Sequence, residues 1–211
     1  DFATDVSDAS GMQLLDIKNR CWSDEVLEKL DIDKNLLGKV YESPEITGVI
    51  SDQASKITGL KKGTPVVAGG SDNAAGAVGN GIVRNGLVFT TIGSSGVVFT
   101  YLDEPKIDKK GRVHTFCHAV PGKWHVMGVT QGAGLSLKWF RDNFAHIEKT
   151  AYEFIDKDPY ILMDMEADLA NPGSDGLIFL PYLMGERTPI LDPFAKGMFF
   201  GITAKHTRKE F

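Results

Sequence analysis

The run Gly69-Gly70-Ser71-Asp72-Asn73 carries the most pointed chemistry in the chain. A carboxylate one or two residues beyond a short apolar strand, at the mouth of a helix, stands where open α/β sheets hold their ligands. An ionised carboxylate there can take a proton from an alcohol, while the Asn73 amide hydrogen-bonds neighbouring hydroxyls. The same pattern also reads as a plain helix cap, a position Asp fills often. Two glycine turns add a second kind of chemistry. Gly93-Ser94-Ser95-Gly96 lets the backbone come close to a ligand, and successive N–H groups with hydroxyls form an anion-binding nest. An ordinary hairpin turn is the plainer reading. Gln131-Gly132-Ala133-Gly134-Leu135-Ser136 is a strand-to-helix turn that can carry phosphate or nucleoside at the helix N-terminus. Lys138, one turn further in, is placed to reach a phosphate or simply to face solvent.

Other chemistries are disfavoured. The turn at 93–96 lacks the Gly-Lys-Ser/Thr ending of a P-loop and is not a Gly-x-Ser-x-Gly nucleophile elbow. His114, His118 and His125 invite a zinc reading, but no closed set of four ligands, or of three plus water, accompanies them. Packing or sheet-surface roles suit them better. Gly185-Glu186-Arg187-Thr188-Pro189 sets an acid beside a base in one loop; it reads either as a local ion pair or as a substrate-side element.

The elements that must position these residues follow from patterning. Ser23 caps a helical stretch at 24–30, and Ser51 opens another at 51–58, ended by Gly59. Residues 64–70 look like a buried strand, and 72–81, nearly all Ala, Gly and Val, like a helix packed too closely for larger side chains. β-Branched and aromatic residues at 87–92 and 97–101 predict a hairpin, with strands at 113–120 and 124–130 around Pro121-Gly122. Helices are expected at 136–144 and 148–168, and strands at 176–181 and 198–202. Mixed elements give an α/β class, with a domain boundary near 82–86.

Composition agrees with a globular protein. The chain has 211 residues, 42% apolar and 24% charged, with 23 Lys+Arg against 28 Asp+Glu and a net charge of −5. An acidic balance leaves no basic face for nucleic acid. No apolar run approaches the roughly 20 residues of a membrane-spanning helix. Two widely separated cysteines, Cys21 and Cys117, suit a reducing, cytoplasmic compartment. The chain opens without Met and closes where a helix is starting, so both ends read as cuts in a longer chain.

Together, four blocks resemble the FGGY family of carbohydrate kinases. They are Gly69 to Gly79, Ile92-Gly93-Ser94-Ser95-Gly96, His114-Thr115-Phe116-Cys117-His118-Ala119-Val120-Pro121 with Trp124-His125, and Gly185-Glu186-Arg187-Thr188-Pro189 leading to Ala195-Lys196-Gly197. The resemblance implies an actin-like ATPase (ribonuclease H-like) fold, with parts of two domains flanking a cleft. Residues 1–82 would be the C-terminal part of the sugar-binding N-terminal domain, and 83–211 the N-terminal part of the ATP-binding C-terminal domain. It implies Asp72 as the catalytic base and a sugar contact, and Asn73 as a second sugar contact. Gly93, Ser94 and Ser95 would face the ATP phosphates, with Gly134 and Lys138 as further nucleotide contacts. ATP and Mg2+ would be the cofactors, with no metal ligand assigned in this chain. The Asp-Asn-Ala-Ala-Gly-Ala and Phe-Cys-His-Ala blocks point to D-xylulose, phosphorylated at its terminal hydroxyl to xylulose 5-phosphate. Another kinase of the family, acting on ribulose, glycerol or a related polyol, is the alternative; a non-catalytic sugar- or nucleotide-binding module is the competing class. The resemblance implies no nucleic-acid or membrane partner and leaves a homodimer open. Ile190 stands where related kinases often carry His. The family's Asp-x-Gly-Thr phosphate loop and its glycine-rich adenosine segment do not occur in the chain, so the 211-residue piece alone is expected to be inactive.

Overall fold

Residues 2–211 are described by a computed structural model. It resolves into two compact units: Asp1–Phe89 with Val98–Met127, and Thr90–Val97 with Gly128–Phe211.

In the first unit, strand β1 (Ala3–Asp5) pairs in parallel with a later strand at Lys39–Tyr41. Asp5 then caps helix α1 (Val6–Ala9), accepting from the amides of Ser7 and Asp8. A small β2 (Leu15–Asp16)–β3 (Cys21–Trp22) ladder follows, and then α2 (Asp24–Leu30), capped by Ser23 as its sequence predicts. The core is Val6, Ala9, Leu15, Trp22, Leu27 and Cys117. Trp22 in this core and Trp124 packed against it both donate their indole N–H to backbone: Trp22 to Gly38 O at 2.8 Å and Trp124 to Ile17 O at 2.6 Å. Arg20 pairs twice with Glu42 and lies over the Trp124 ring. Cys117 is buried, Cys21 is exposed, and both are free thiols.

Strand β4 (Lys39–Tyr41) is followed by β5 (Ile46–Val49), α3 (Asp52–Thr58), β6 (Pro65–Val67) and α4 (Asp72–Gly79). Helix α3 has the predicted ends, the Ser51 hydroxyl oxygen accepting from Ala54 N as the cap and Gly59 closing it at φ +76°. Two expectations fail here. The strand at 65–67 is exposed along its length; among the described residues only β5 pairs with it. Helix α4 buries Ala74 and Ala77, yet a Cβ added at Gly76 or Gly79 would meet nothing within 4 Å. Its small residues are therefore not all explained by close packing.

Strands β7 (Val88–Ile92), β8 (Gly96–Leu102), β9 (His114–Cys117) and β10 (Trp124–Thr130) form one sheet in the order β7-β8-β10-β9. β9 is shorter than the expected 113–120, because the chain turns at residues 118–123, with His118 N donating to Lys123 O. In the second unit, α5 (Gly134–Phe144) ends as expected but starts two residues before the expected 136, and the expected helix at 148–168 is two: α6 (His146–Ile155) and α7 (Pro159–Ala167). The break has a local cause. Proline has no N–H to continue a helix and disfavours helical geometry in the residue before it. Asp158 caps the new helix at Tyr160 N, 2.9 Å, with Pro159 in the first turn. Strands β11 (Ile178–Leu180) and β12 (Met198–Phe200) pair antiparallel. Arg208 bridges Glu148 on α6 and Glu166 on α7, and holds the Glu148 carboxyl below its ordinary range.

His118 and His125 are almost wholly buried among Phe99, Tyr101 and Phe116, with His125 stacked on Phe99 at 4.1 Å. Val120 N donates to His118 Nδ1; among the described residues His118 Nε2 and both His125 ring nitrogens have no hydrogen-bond partner. Neutral imidazoles serve here as aromatic filling. Burial pushes His118 down to about 4 and His125, with His118 beside it, to about 3. An unfolded histidine titrates near ~6.5. From there down to the folded values, the unfolded chain binds protons that the folded one refuses, so stability falls as pH drops. Urea denaturation at pH 7 and pH 5 should show a loss of about 2 kcal/mol per histidine, and His125→Phe should remove about half of that slope. An unchanged slope in the variant would exclude His125 as its source.

Candidate functional site

Asp72 is the first residue of α4, and Ser71, not Asp72, is the cap residue. The Asp72 side chain is exposed; its Oδ1 accepts from Asn73 N at 2.6 Å and from Asn73 Nδ2 at 3.1 Å. Among the described residues, nothing donates to Oδ2. One carboxylate oxygen is thus steadied by the neighbouring residue and the other is open to solvent.

The segment leading to it is tied down from below. Asp5 is 3% exposed, and its Oδ2 gathers three donors from two residues: it accepts from Ser7 N at 2.8 Å, Ser7 Oγ at 2.5 Å and Ser43 Oγ at 2.8 Å. The Ser7 hydroxyl in turn accepts from Ser71 N at 2.9 Å. Ala68 N and Gly69 N donate to Glu45 O and Ser43 O. Gly69 takes φ +92°, a left-handed value that favours glycine. Sequence reading passed over Asp5, Ser7 and Ser43. Asp-Val-Ser at 5–7 is a turn-and-cap pattern that signals a local role; nothing in it signals the reach to Ser71.

In the second unit, the Gly93–Gly96 turn and the start of α5 interlock. Gly93 O accepts from Gly134 N at 2.9 Å, and Ser94 O accepts from Ala133 N and Leu135 N, both at 3.1 Å. The first amides of α5 therefore hold the turn. A Cβ on Gly134 would stand 2.5 Å from Gly93 O, and one on Gly132 would run into Pro181 O. These glycines permit backbone contact with backbone. Ser94 and Ser95 remain exposed at the tip, and Lys138 is exposed on α5.

Glu186, 3% exposed, plays the part in this unit that Asp5 plays in the other. It accepts from Thr130 Oγ1 at 2.6 Å, Gln131 N at 3.1 Å and Arg187 N at 2.7 Å, and its backbone bridges Asp192. The local Glu186–Arg187 ion pair considered from sequence does not form. Neighbouring residues in extended backbone point to opposite sides, so Glu186 turns inward and Arg187 outward. Thr188 N donates to Val129 O at 3.1 Å. Among the described residues, no group of three or more His, Cys, Asp or Glu side chains could hold a metal ion, so His114, His118 and His125 form no metal site.

A family model for the N-terminal domain of the FGGY carbohydrate kinases matches residues 1–79, and one for the C-terminal domain matches residues 88–211. The chain belongs to the FGGY family of carbohydrate kinases. It is similar to the xylulose kinase of Lactococcus lactis, with 40% identity over 209 residues, 99% of this chain and 39% of that protein. It is also similar to a gluconokinase of Bacillus subtilis, 35% identical over 99% of this chain and 40% of that protein. The crystal structure of ligand-bound xylulose kinase from Lactobacillus acidophilus superposes with a TM-score of 0.84 at 31% identity, over 99% of this chain and 40% of that one. The fold is thus that of the FGGY sugar kinases, an actin-like α/β fold, and the chain spans about 40% of the length of these relatives.

Removing either buried carboxylate strands several donors at once. Asp5→Ala and Glu186→Ala should each cost about 3 kcal/mol, read as a lowered urea midpoint. A loss within ~0.5 kcal/mol, the range of ordinary surface changes, would show that water replaces the carboxylate without penalty.

Proposed function

We propose that the chain is the central segment of an ATP-dependent sugar kinase that phosphorylates the terminal hydroxyl of D-xylulose. The observation that carries this reading is the family match on both sides of residues 80–87, combined with an exposed Asp72 whose Oδ2 has no donor among the described residues. In this reading Asp72 Oδ2 takes the hydroxyl proton as the sugar oxygen attacks the γ-phosphoryl group. Xylulose 5-phosphate forms and ADP leaves. Asn73 hydrogen-bonds a sugar hydroxyl with the amide hydrogen not given to Asp72. The Ser94 and Ser95 hydroxyls and the turn they tip, bounded by Gly93, face the ATP phosphates. Gly134 contributes by letting the turn lie against α5, and Lys138 adds a cation on the same helix.

Positioning and charge neutralisation do most of the work in phosphoryl transfer. Mg2+ is the expected companion of the nucleotide and would neutralise phosphate charge. Because no cluster among the described residues suits a metal ion, no ligand in this chain is assigned to it. A cytoplasmic setting belongs to the same reading and is supported by the free thiols of Cys21 and Cys117. No helix among the described residues is long and apolar enough to cross a membrane.

Similarity to a gluconokinase keeps the choice of sugar a matter for experiment. The full-length protein containing this segment, assayed with D-xylulose, D-ribulose, glycerol and gluconate, should prefer D-xylulose; preference for another acceptor replaces the substrate and keeps the reaction. Asp72→Asn in that protein should lower kcat by about 100-fold or more with its melting temperature unchanged. Retained turnover would reduce Asp72 to the first residue of a helix. The isolated 211-residue chain should release no ADP in response to D-xylulose, and turnover near that of the full-length protein would overturn this expectation.

A further inference from the structure

The loop Gly185-Glu186-Arg187-Thr188-Pro189 divides its two charges between two tasks, and only the acid's task is structural. Arg187 lines a hollow of about 310 Å3 together with Ser94, Ser95, Gln131, Val129 and Met184. All of these belong to the second unit. Arg187 is the one charged residue in that lining, so the hollow favours an anion. Its guanidinium has no hydrogen-bond or ion-pair partner among the described residues. The acid beside it is not available to provide one, since Glu186 is turned inward onto Thr130, Gln131 and the Arg187 amide.

The backbone carrying Arg187 is held on both sides. Thr188 N donates to Val129 O at 3.1 Å, and Arg187 O accepts from Leu191 N at 2.6 Å. Gly185 sits at φ +80°, and a Cβ there would stand 2.6 Å from Pro193 O, so the residue before Glu186 and Arg187 has to be glycine. A fixed backbone with an unengaged guanidinium, sharing a hollow with two hydroxyls on an exposed turn, is an arrangement for receiving an oxyanion. A planar guanidinium offers paired N–H donors that match two phosphate oxygens at once.

We propose that Arg187 contacts the nucleotide's transferring phosphoryl group at the Ser94–Ser95 turn and neutralises charge that develops there. The identity of the ligand rests on the kinase reading above; the place of Arg187 beside the turn rests on the geometry of this unit alone. Glu186 acts through Arg187 as a positioning residue, by holding the amide that sets its direction.

The test is Arg187→Met and Arg187→Lys in the full-length protein, with ATP and sugar varied separately. Arg187→Met should lower kcat/KM for ATP by about 30-fold or more, with the sugar KM within about two-fold and the melting temperature unchanged. Arg187→Lys should recover part of the loss, because it keeps the cation but not the paired donors. Two outcomes overturn the proposal: ATP parameters within about two-fold of the parent, or a defect confined to the sugar KM, which would put Arg187 on the acceptor side. Should the unmodified protein release no ADP with any sugar, the kinase reading fails by itself. Calorimetric titration with inorganic tripolyphosphate then decides: binding weakened about tenfold in Arg187→Met supports the proposal, and equal binding, or none by the parent, overturns it.

Discussion

A carboxylate buried without a cation beside it has to be satisfied by neutral donors, and the donors it gathers fix the segments that bring them. Asp5 is such a group. Its donors come from α1 and from the loop after β4, and through the Ser7 hydroxyl it reaches the amide of Ser71. Three chain segments far apart in sequence therefore converge on one buried charge, and the residue that follows Ser71 is the exposed Asp72. The position of the candidate base is set less by its own helix, only eight residues long, than by this cluster beneath it.

The second unit repeats the logic with other residues. Glu186 joins the end of β10 to the loop carrying Arg187, again by accepting from a hydroxyl and backbone amides. The amides at the start of α5 grip the carbonyls of Gly93 and Ser94. That use of a helix start differs from the phosphate-binding one suggested by the glycine turn. The free N–H groups of a helix start donate to whatever oxygen is nearest, and here a backbone turn supplies the accepting oxygens. Gly134 then matters for the contact it allows with Gly93 O, whatever the nucleotide does.

Local signals in the sequence proved readable where the physics is local. Ser23 and Ser51 cap α2 and α3, Gly59 ends α3, and the glycine-bounded turn joins β7 to β8. The Asp158-Pro159 break was equally local and could have been read from the missing proline N–H. What periodicity could not supply is the long-range part. The exposure of β6 depends on which strands pair with it, and an apolar run at 65–67 looks the same whether covered or bare. The return of residues 98–127 to the first unit is a matter of tertiary contacts. The inward turn of Glu186 likewise depends on Thr130 and Gln131, more than fifty residues away. The four family blocks were legible as a set by their order and spacing, although His118, His125 and Glu186 within them are buried; Asp5, Ser7 and Ser43, outside the blocks, look like ordinary Asp and Ser.

That division separates two kinds of residue by what they can change. Asp72, Ser94, Ser95 and Arg187 are exposed, and none of their side chains is built into a buried network of several partners. Changing them should alter binding or turnover while leaving the fold nearly as stable. Asp5 and Glu186 touch no ligand in the proposed reaction, yet each satisfies several buried donors, so losing either perturbs stability and site geometry together. A defect in activity with stability intact therefore points to the exposed set. A joint defect points to the carboxylates beneath it.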